Sequence, residues 1–216
     1  MKKNEILNLF LLTAVIGLVI SCGGSDNDDT TPSSSSSVSA SPSAASCPLV
    51  SNAAGASVVS GTDTSGNLTC TYTGTYNDSF QMKASATHIL SGPVKIGDDT
   101  TSPTLTIDAG TTLRGESGKD SLNILRGAKI LAKGTATNPI IMTSASDDGT
   151  LAADAQAQWG GLQIMGKATQ NCTEAEKNAD GICERSAEGF VAGAVKYGGN
   201  DDNDNSGELS YVVVKY

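Results

Sequence analysis

Aromatic residues make up only 4 % of this 216-residue chain and charged residues only 17 %. Cationic side chains are scarce: 14 Lys and Arg stand against 23 Asp and Glu, for a net charge of −9. That balance argues against a nucleic-acid partner, because phosphates must be met by cations. The shortage of aromatic side chains argues against a compact α/β enzyme core. Histidine occurs once, at His88, and the five cysteines form no C-x-x-C pair, so metal binding by Cys and His is a poor reading. No G-x-S-x-G nucleophile elbow, phosphate-binding loop or dinucleotide fingerprint occurs.

Small and β-tolerant residues are abundant instead. The chain carries 24 Gly, 26 Ser and 22 Thr. Such a composition suits a thin, repetitive β architecture. The length allows one ordinary domain plus tails.

The N-terminus is an export signal. Met1-Lys2-Lys3 is basic, and residues 6–20 are mostly apolar but short for a membrane span. The run ends in Val19-Ile20-Ser21-Cys22, which resembles a bacterial lipobox. The resemblance implies cleavage after residue 21 and lipidation of Cys22, and two or more acyl chains give stable anchoring. The rival reading is an uncleaved N-terminal helix with an incidental cysteine. Residues 22–46 combine Cys22 with an Asp-rich and then Ser-rich stretch that contains no aromatic residue. A stretch of this kind buries too little surface to offset its ordering entropy, so it is expected to be a disordered tether. Gly23 follows Cys22, so the aspartate that retains such proteins at the inner membrane is absent there. The expected location is the outer membrane or cell surface of a bacterium.

Four cysteines remain: Cys47, Cys70, Cys172 and Cys183. An even number in an exported chain reads as two disulfides, with three connectivities open. The local pairs Cys47–Cys70 and Cys172–Cys183 are the preferred choice, since each closes a short loop.

The body of the chain keeps a two-residue beat. Leu105, Ile107, Ala109 and Leu113 share one parity, as expected of strands with one buried face. Seventeen residues on, Leu105, Ile107, Gly110 and Leu113 align with Leu122, Ile124, Gly127 and Ile130. Val94-Lys95-Ile96 forms an earlier partial copy, and Ile140-Ile141-Met142 a later apolar burst. The gaps between these runs are too short for helical crossovers. Antiparallel hairpins or a parallel solenoid remain, and hairpin turns such as Asp-Gly are missing from the repeat. Self-similarity at about one coil length favours the solenoid, with Gly110 and Gly127 at corners.

The segments HILSGPVKIG, TLTIDAGTTLRG, LNILRGAKILAKGTATNPIIMTS and QWGGLQIMG are similar to those of bacterial exported lipoproteins with a right-handed, pectin-lyase-like parallel β-helix. The resemblance implies an all-β fold and a cell-envelope location rather than a particular chemistry. The expected organisation is a signal peptide over 1–21, the tether over 22–46, an N-terminal cap over 47–86 and a β-helix over 87–216. Proteins of this kind tend to run longer, and Val212-Val213-Val214 carries no polar cap. A partial version of a longer solenoid, or a last coil covered by a partner, is therefore expected. Thr173-Glu174-Ala175-Glu176 fits a capping box, so a short helix is expected from there to Asp180-Gly181, stapled by Cys172–Cys183.

Candidate chemistry is thin. Asp202, Asp204 and Ser206 before Gly207 imitate half of a Ca²⁺ loop, but the twelfth position is Val213 rather than Glu. The alternatives are a Ca²⁺ site and a solvated acidic turn; no other cofactor is implied. Asp98-Asp99 and Asp147-Asp148 fall in expected turns, with Arg114 and Arg126 at corners. Trp159 is expected to pack over bare backbone rather than to stack on a sugar. Three functions remain: an anchored scaffold for binding or adhesion, with a polysaccharide or surface protein as ligand and no catalysis; a carbohydrate-active β-helix lyase or hydrolase; or a fragment of a larger lipoprotein.

Overall fold

The computed structural model describes residues 45–50 and 55–216. The signal over 1–21, Cys22 and all of the tether up to residue 44 lie outside the described residues.

A leading strand, β1 (Ser57–Thr62), precedes a series of rungs. The first rung is β2 (Leu68–Thr73), β3 (Thr75–Tyr76) and β4 (Phe80–Met82). The second is β5 (Thr87–Leu90), β6 (Pro93–Ile96) and β7 (Thr104–Ile107). The third is β8 (Thr112–Gly115), β9 (Ser121–Ile124) and β10 (Lys129–Lys133). The fourth opens with β11 (Ile140–Ser144) and β12 (Gly161–Ile164). The chain then makes an excursion that holds β13 (Arg185–Ser186) and β14 (Lys196–Tyr197). It returns as β15 (Gly207–Ser210), and β16 (Val212–Val214) starts a further turn.

Corresponding strands stack into three sheets. Sheet A runs β1-β2-β5-β8-β11-β16, sheet B runs β12-β9-β6-β3, and sheet C runs β15-β10-β7-β4. Every pairing in them is parallel except that of β1 with β2. This is the stacked parallel arrangement of a β-helix rather than a hairpin sandwich.

Alternation places like on like. In sheet C, Leu105 pairs with Phe80 and with Ile130, 25 residues away in either direction. In sheet B, Leu122 pairs with Val94 and Leu162, and in sheet A Leu113 pairs with His88 and Met142. Leu105, Leu113, Leu122 and Ile130 are fully buried, so the strands' apolar parity forms one continuous interior column. The seventeen-residue recurrence is not the coil length. It links β7 to β9, which lie in different sheets, because every strand shares the same alternation. Turn lengths vary from rung to rung, so coil spacing also varies, as the 28 residues from Val94 to Leu122 show. Gly110 (φ +82°) and Gly127 (φ +84°) do turn corners in the left-handed region that glycine favours.

Stacking begins at Leu68, inside the 47–86 stretch assigned to a cap, so the capping elements are shorter than expected. They are β1, which runs antiparallel along β2, and the segment held by the Cys47–Cys70 disulfide. The first rung is the aromatic one: Tyr72 stacks on Phe80 with centroids 5.9 Å apart. The Tyr76 hydroxyl donates to the Ser57 carbonyl at 2.5 Å, tying the cap to that rung.

The Cys172–Cys183 disulfide is present, but the expected helix is a single 3-10 turn, Glu174–Glu176. The capping box forms, with Glu176 accepting from the Thr173 backbone and hydroxyl. The helix stops because Lys177 is extended and Asn178 Oδ1 accepts the Asp180 and Ile182 amides, a local turn that competes with helix.

Candidate functional site

The excursion between β12 and β15 folds back over the outer face of sheet B. A second, small apolar cluster seats it: Leu125, Met165, Ala187 and Val195 are buried there, with Phe190 and Tyr197 packed against them. The outward column of sheet B beneath it is Lys95, Asn123 and Gln163. The Lys95 ammonium lies 5.7 Å from the centre of the Phe190 ring, within cation–π range.

One side chain ties the excursion down. Arg126 Nε and Nη2 donate to Asp99 Oδ2 at 3.1 and 2.6 Å. Its Nη1 donates to Glu184 Oε1 at 2.5 Å and to the Gly198 carbonyl at 2.9 Å. Glu184 Oε2 accepts from Lys196 Nζ at 3.0 Å. Hydrogen bonds from Arg126 first, then Lys196, hold the Glu184 pKa down to about 2. Arg126 therefore joins the turn after β6, the corner after β9 and both flanks of the excursion.

Between the excursion and sheet B lies a groove of about 440 Å³, lined by Pro93, Lys119, Ser121, Gln163, Glu188 and Phe190 among others. Among the described residues the buried Oε1 atom of Gln163 has no hydrogen-bond partner, and neither has Oδ1 of the fully buried Asn123 beneath the excursion. A buried acceptor without a donor is costly, and a ligand hydroxyl would supply the missing donor at Gln163. An aromatic ring, an unsatisfied amide and one charge of each sign are the ingredients of a site for a polyhydroxylated ligand.

Another cavity, about 330 Å³, lies by Cys47 and is lined by Phe80, Lys83 and His88 among others. His88 Nδ1 accepts from the Tyr72 hydroxyl at 2.8 Å, and Nε2 donates to the Lys83 carbonyl at 2.9 Å. Burial pushes the imidazole pKa below its usual value, against opposing effects of the Lys83 carbonyl and Asp108. With both nitrogens engaged and the ring fully buried, His88 is an interior column residue rather than a general base.

The residues weighed from sequence fall into structural roles. Asp98 Oδ1 accepts from the backbone amides and hydroxyls of Thr100 and Thr101. Its carboxyl is held far below the usual range, first by the Thr100 hydroxyl. Asp147 pairs with Lys215 at 2.9 Å and Thr143 at 2.7 Å, and Asp148 accepts from Thr150. Asp202 accepts the Thr169 amide at 2.8 Å. Asp204 accepts the Lys167 amide and the Ser206 hydroxyl, both at 3.1 Å. These carboxylates pin the two ends of the excursion together. Among the described residues no group of three His, Cys, Asp or Glu side chains is placed to hold a metal, and the carboxylates of Asp202 and Asp204 are engaged by Thr169, Lys167 and Ser206. Trp159 packs over bare backbone: a Cβ at Gly115 would lie 2.7 Å from the Trp159 Cβ. Its indole donates to the Lys215 carbonyl at 2.7 Å.

Residues 74–216 match the pectate-lyase-like β-helix domain family. This chain belongs to that family. The match spans the rungs from β3 onward together with the excursion, so it covers the groove-bearing part of this β-helix domain. Comparison with curated proteins and with solved structures gives no match.

Sequence reading missed the groove. Lys119, Gln163, Glu188 and Phe190 lie far apart in the chain, and only the excursion's return across sheet B brings them together. The one available signal was the stapled Cys172–Cys183 segment, which marked an excursion from the ladder without showing which face it covers.

Proposed function

We propose that this chain is a lipid-anchored, exported bacterial protein whose β-helix domain is a non-catalytic binding scaffold, with the groove over sheet B as its ligand site. The carrying observation is the groove itself, with Phe190 as a platform and the unpaired Gln163 acceptor in its wall. A polysaccharide segment fits that chemistry: sugar faces stack on aromatic rings, and sugar hydroxyls donate to a buried amide oxygen. Parallel strands joined through successive sheets favour a right-handed coil, since crossovers of that hand pack best on twisted strands. The lipobox and the Ser/Asp-rich tether support anchoring at the outer membrane or cell surface, with the β-helix held off the bilayer.

Two measurements test this reading. Detergent-phase partitioning should fall in Cys22→Ser, and retention there would contradict lipid anchoring. Against a panel of bacterial and host polysaccharides, Phe190→Ala and Gln163→Ala should each weaken binding about tenfold or more. Unchanged binding in both variants, or release of reducing ends or unsaturated products by the native protein, would overturn the non-catalytic groove.

A further inference from the structure

The groove over sheet B does not end at Gln163. A second hollow of about 330 Å³ adjoins it, lined by Gln163, Ile164, Met165, Ala187, Glu188 and Tyr197. Gln163 and Glu188 line both concavities and so stand on the divide between them. The two sides differ in chemistry. The groove side carries Lys119, Ser121 and the Phe190 ring. The far side is largely apolar: Met165 and Ala187 are buried, Tyr197 packs beside them, and Ile164 is 40 % exposed.

The divide itself offers acceptors. Gln163 Oε1 is buried and has no partner among the described residues. Glu188 makes no ion pair among them, and an ionised carboxylate only accepts. A ligand that crosses the divide must therefore bring a donor there and an apolar group just beyond it. A negative charge would face the Glu188 carboxylate, at a cost. An N-acetylated amino sugar has both parts in one substituent: its amide N–H donates, and its methyl group follows two bonds away. A sugar hydroxyl supplies a donor without the methyl group. A free amine, charged at neutral pH, would lose its hydration in the hollow.

We propose that the groove and the hollow together bind a chain of N-acetylated amino sugars. One ring lies against Phe190, the acetamido N–H donates to Gln163 Oε1, and the acetyl methyl enters the hollow against Ile164, Met165 and Ala187. The inference rests on the groove being the ligand site and adds the class of sugar that it takes.

The test uses the full chain and three tetrasaccharides of one backbone, β-1,4-linked, that differ only in the substituent at carbon 2: N-acetylglucosamine, glucosamine and glucose. Binding is read by titration calorimetry. The acetylated tetramer should bind about tenfold or more tighter than the glucose tetramer, since methyl burial and a hydrogen bond to a buried acceptor act together. The glucosamine tetramer should bind no better than the glucose one. Ile164→Asn, at an exposed position, should cut the preference for the acetylated tetramer about threefold or more while glucose binding stays within about twofold. Gln163→Met keeps the length of the side chain without the acceptor and should cut the preference likewise. The comparison of the three tetramers on the native protein needs no variant to fold. Equal binding of the glucose or glucosamine tetramer, or a preference unmoved by both substitutions, would overturn the proposal. If no tetramer binds while another polysaccharide binds and is lost in Phe190→Ala, the groove reading stands and the N-acetyl assignment falls. If no polysaccharide binding depends on Phe190, the groove reading falls and this inference with it.

Discussion

Replacing Arg126 with methionine keeps the stem that packs at the corner after β9 and removes the charge that joins three segments. The Arg126 side chain is 14 % exposed, against 32 % for Asp99 and 18 % for Glu184. Losing one partner of a fully buried pair costs about 3–5 kcal/mol; with these carboxylates partly solvated, about 2–3 kcal/mol is expected. The Glu184 pKa points the same way: hydrogen bonds from Arg126 first, then Lys196, hold it down from 4.5 to about 2. Because that pKa is depressed by folding, the contribution is complete above the unfolded value near 4.5 and is lost as pH falls towards 2. Arg126→Met should lower the melting temperature at pH 7 by roughly 5–10 °C. It should also flatten the acid loss of stability between pH 5 and 2, leaving the part due to Lys196, which remains 3.0 Å from Glu184. Hydrogen exchange should show the excursion over residues 165–206 opening first, since it contributes no strand to the interior column. An unchanged melting temperature together with native protection of Gly198 and its neighbours would refute the clamp.

Three further outcomes follow from the same geometry. Replacing Cys47 and Cys70 together with alanine opens a loop of 23 residues and should cost about 3 kcal/mol, read by urea unfolding against the native protein with and without reductant. Leu105→Ala leaves a cavity between Phe80 and Ile130 and should cost about 2–5 kcal/mol; a loss under 1 kcal/mol would mean that the column does not pack as described. Gly115→Ala places a methyl 2.7 Å from the Trp159 Cβ and 2.9 Å from the Asp120 carbonyl, so Trp159 fluorescence should shift and stability should fall by about 1–3 kcal/mol.

The sequence alone determined the alternation and therefore the β character, because a strand's burial period is written in adjacent residues. It likewise located the corners at Gly110 and Gly127 and the loop-closing cysteine pairs, which are local in the chain. It misjudged the coil length, because strands of one parity resemble each other at many offsets and only hydrogen-bonded register says which lie over which: Leu105 on Phe80, not under Leu122. The capping box at Thr173 was legible, yet Asn178 drew the chain into a turn after one 3-10 turn. The acidic run 201–206 resembled a cation loop in one dimension. In three dimensions Asp202 and Asp204 meet the backbone of Thr169 and Lys167, contacts that depend on where the excursion leaves and rejoins the coil. The groove belongs to the tertiary structure for the same reason. A site made across rungs joins residues tens of positions apart, and stacking alone decides which of them meet.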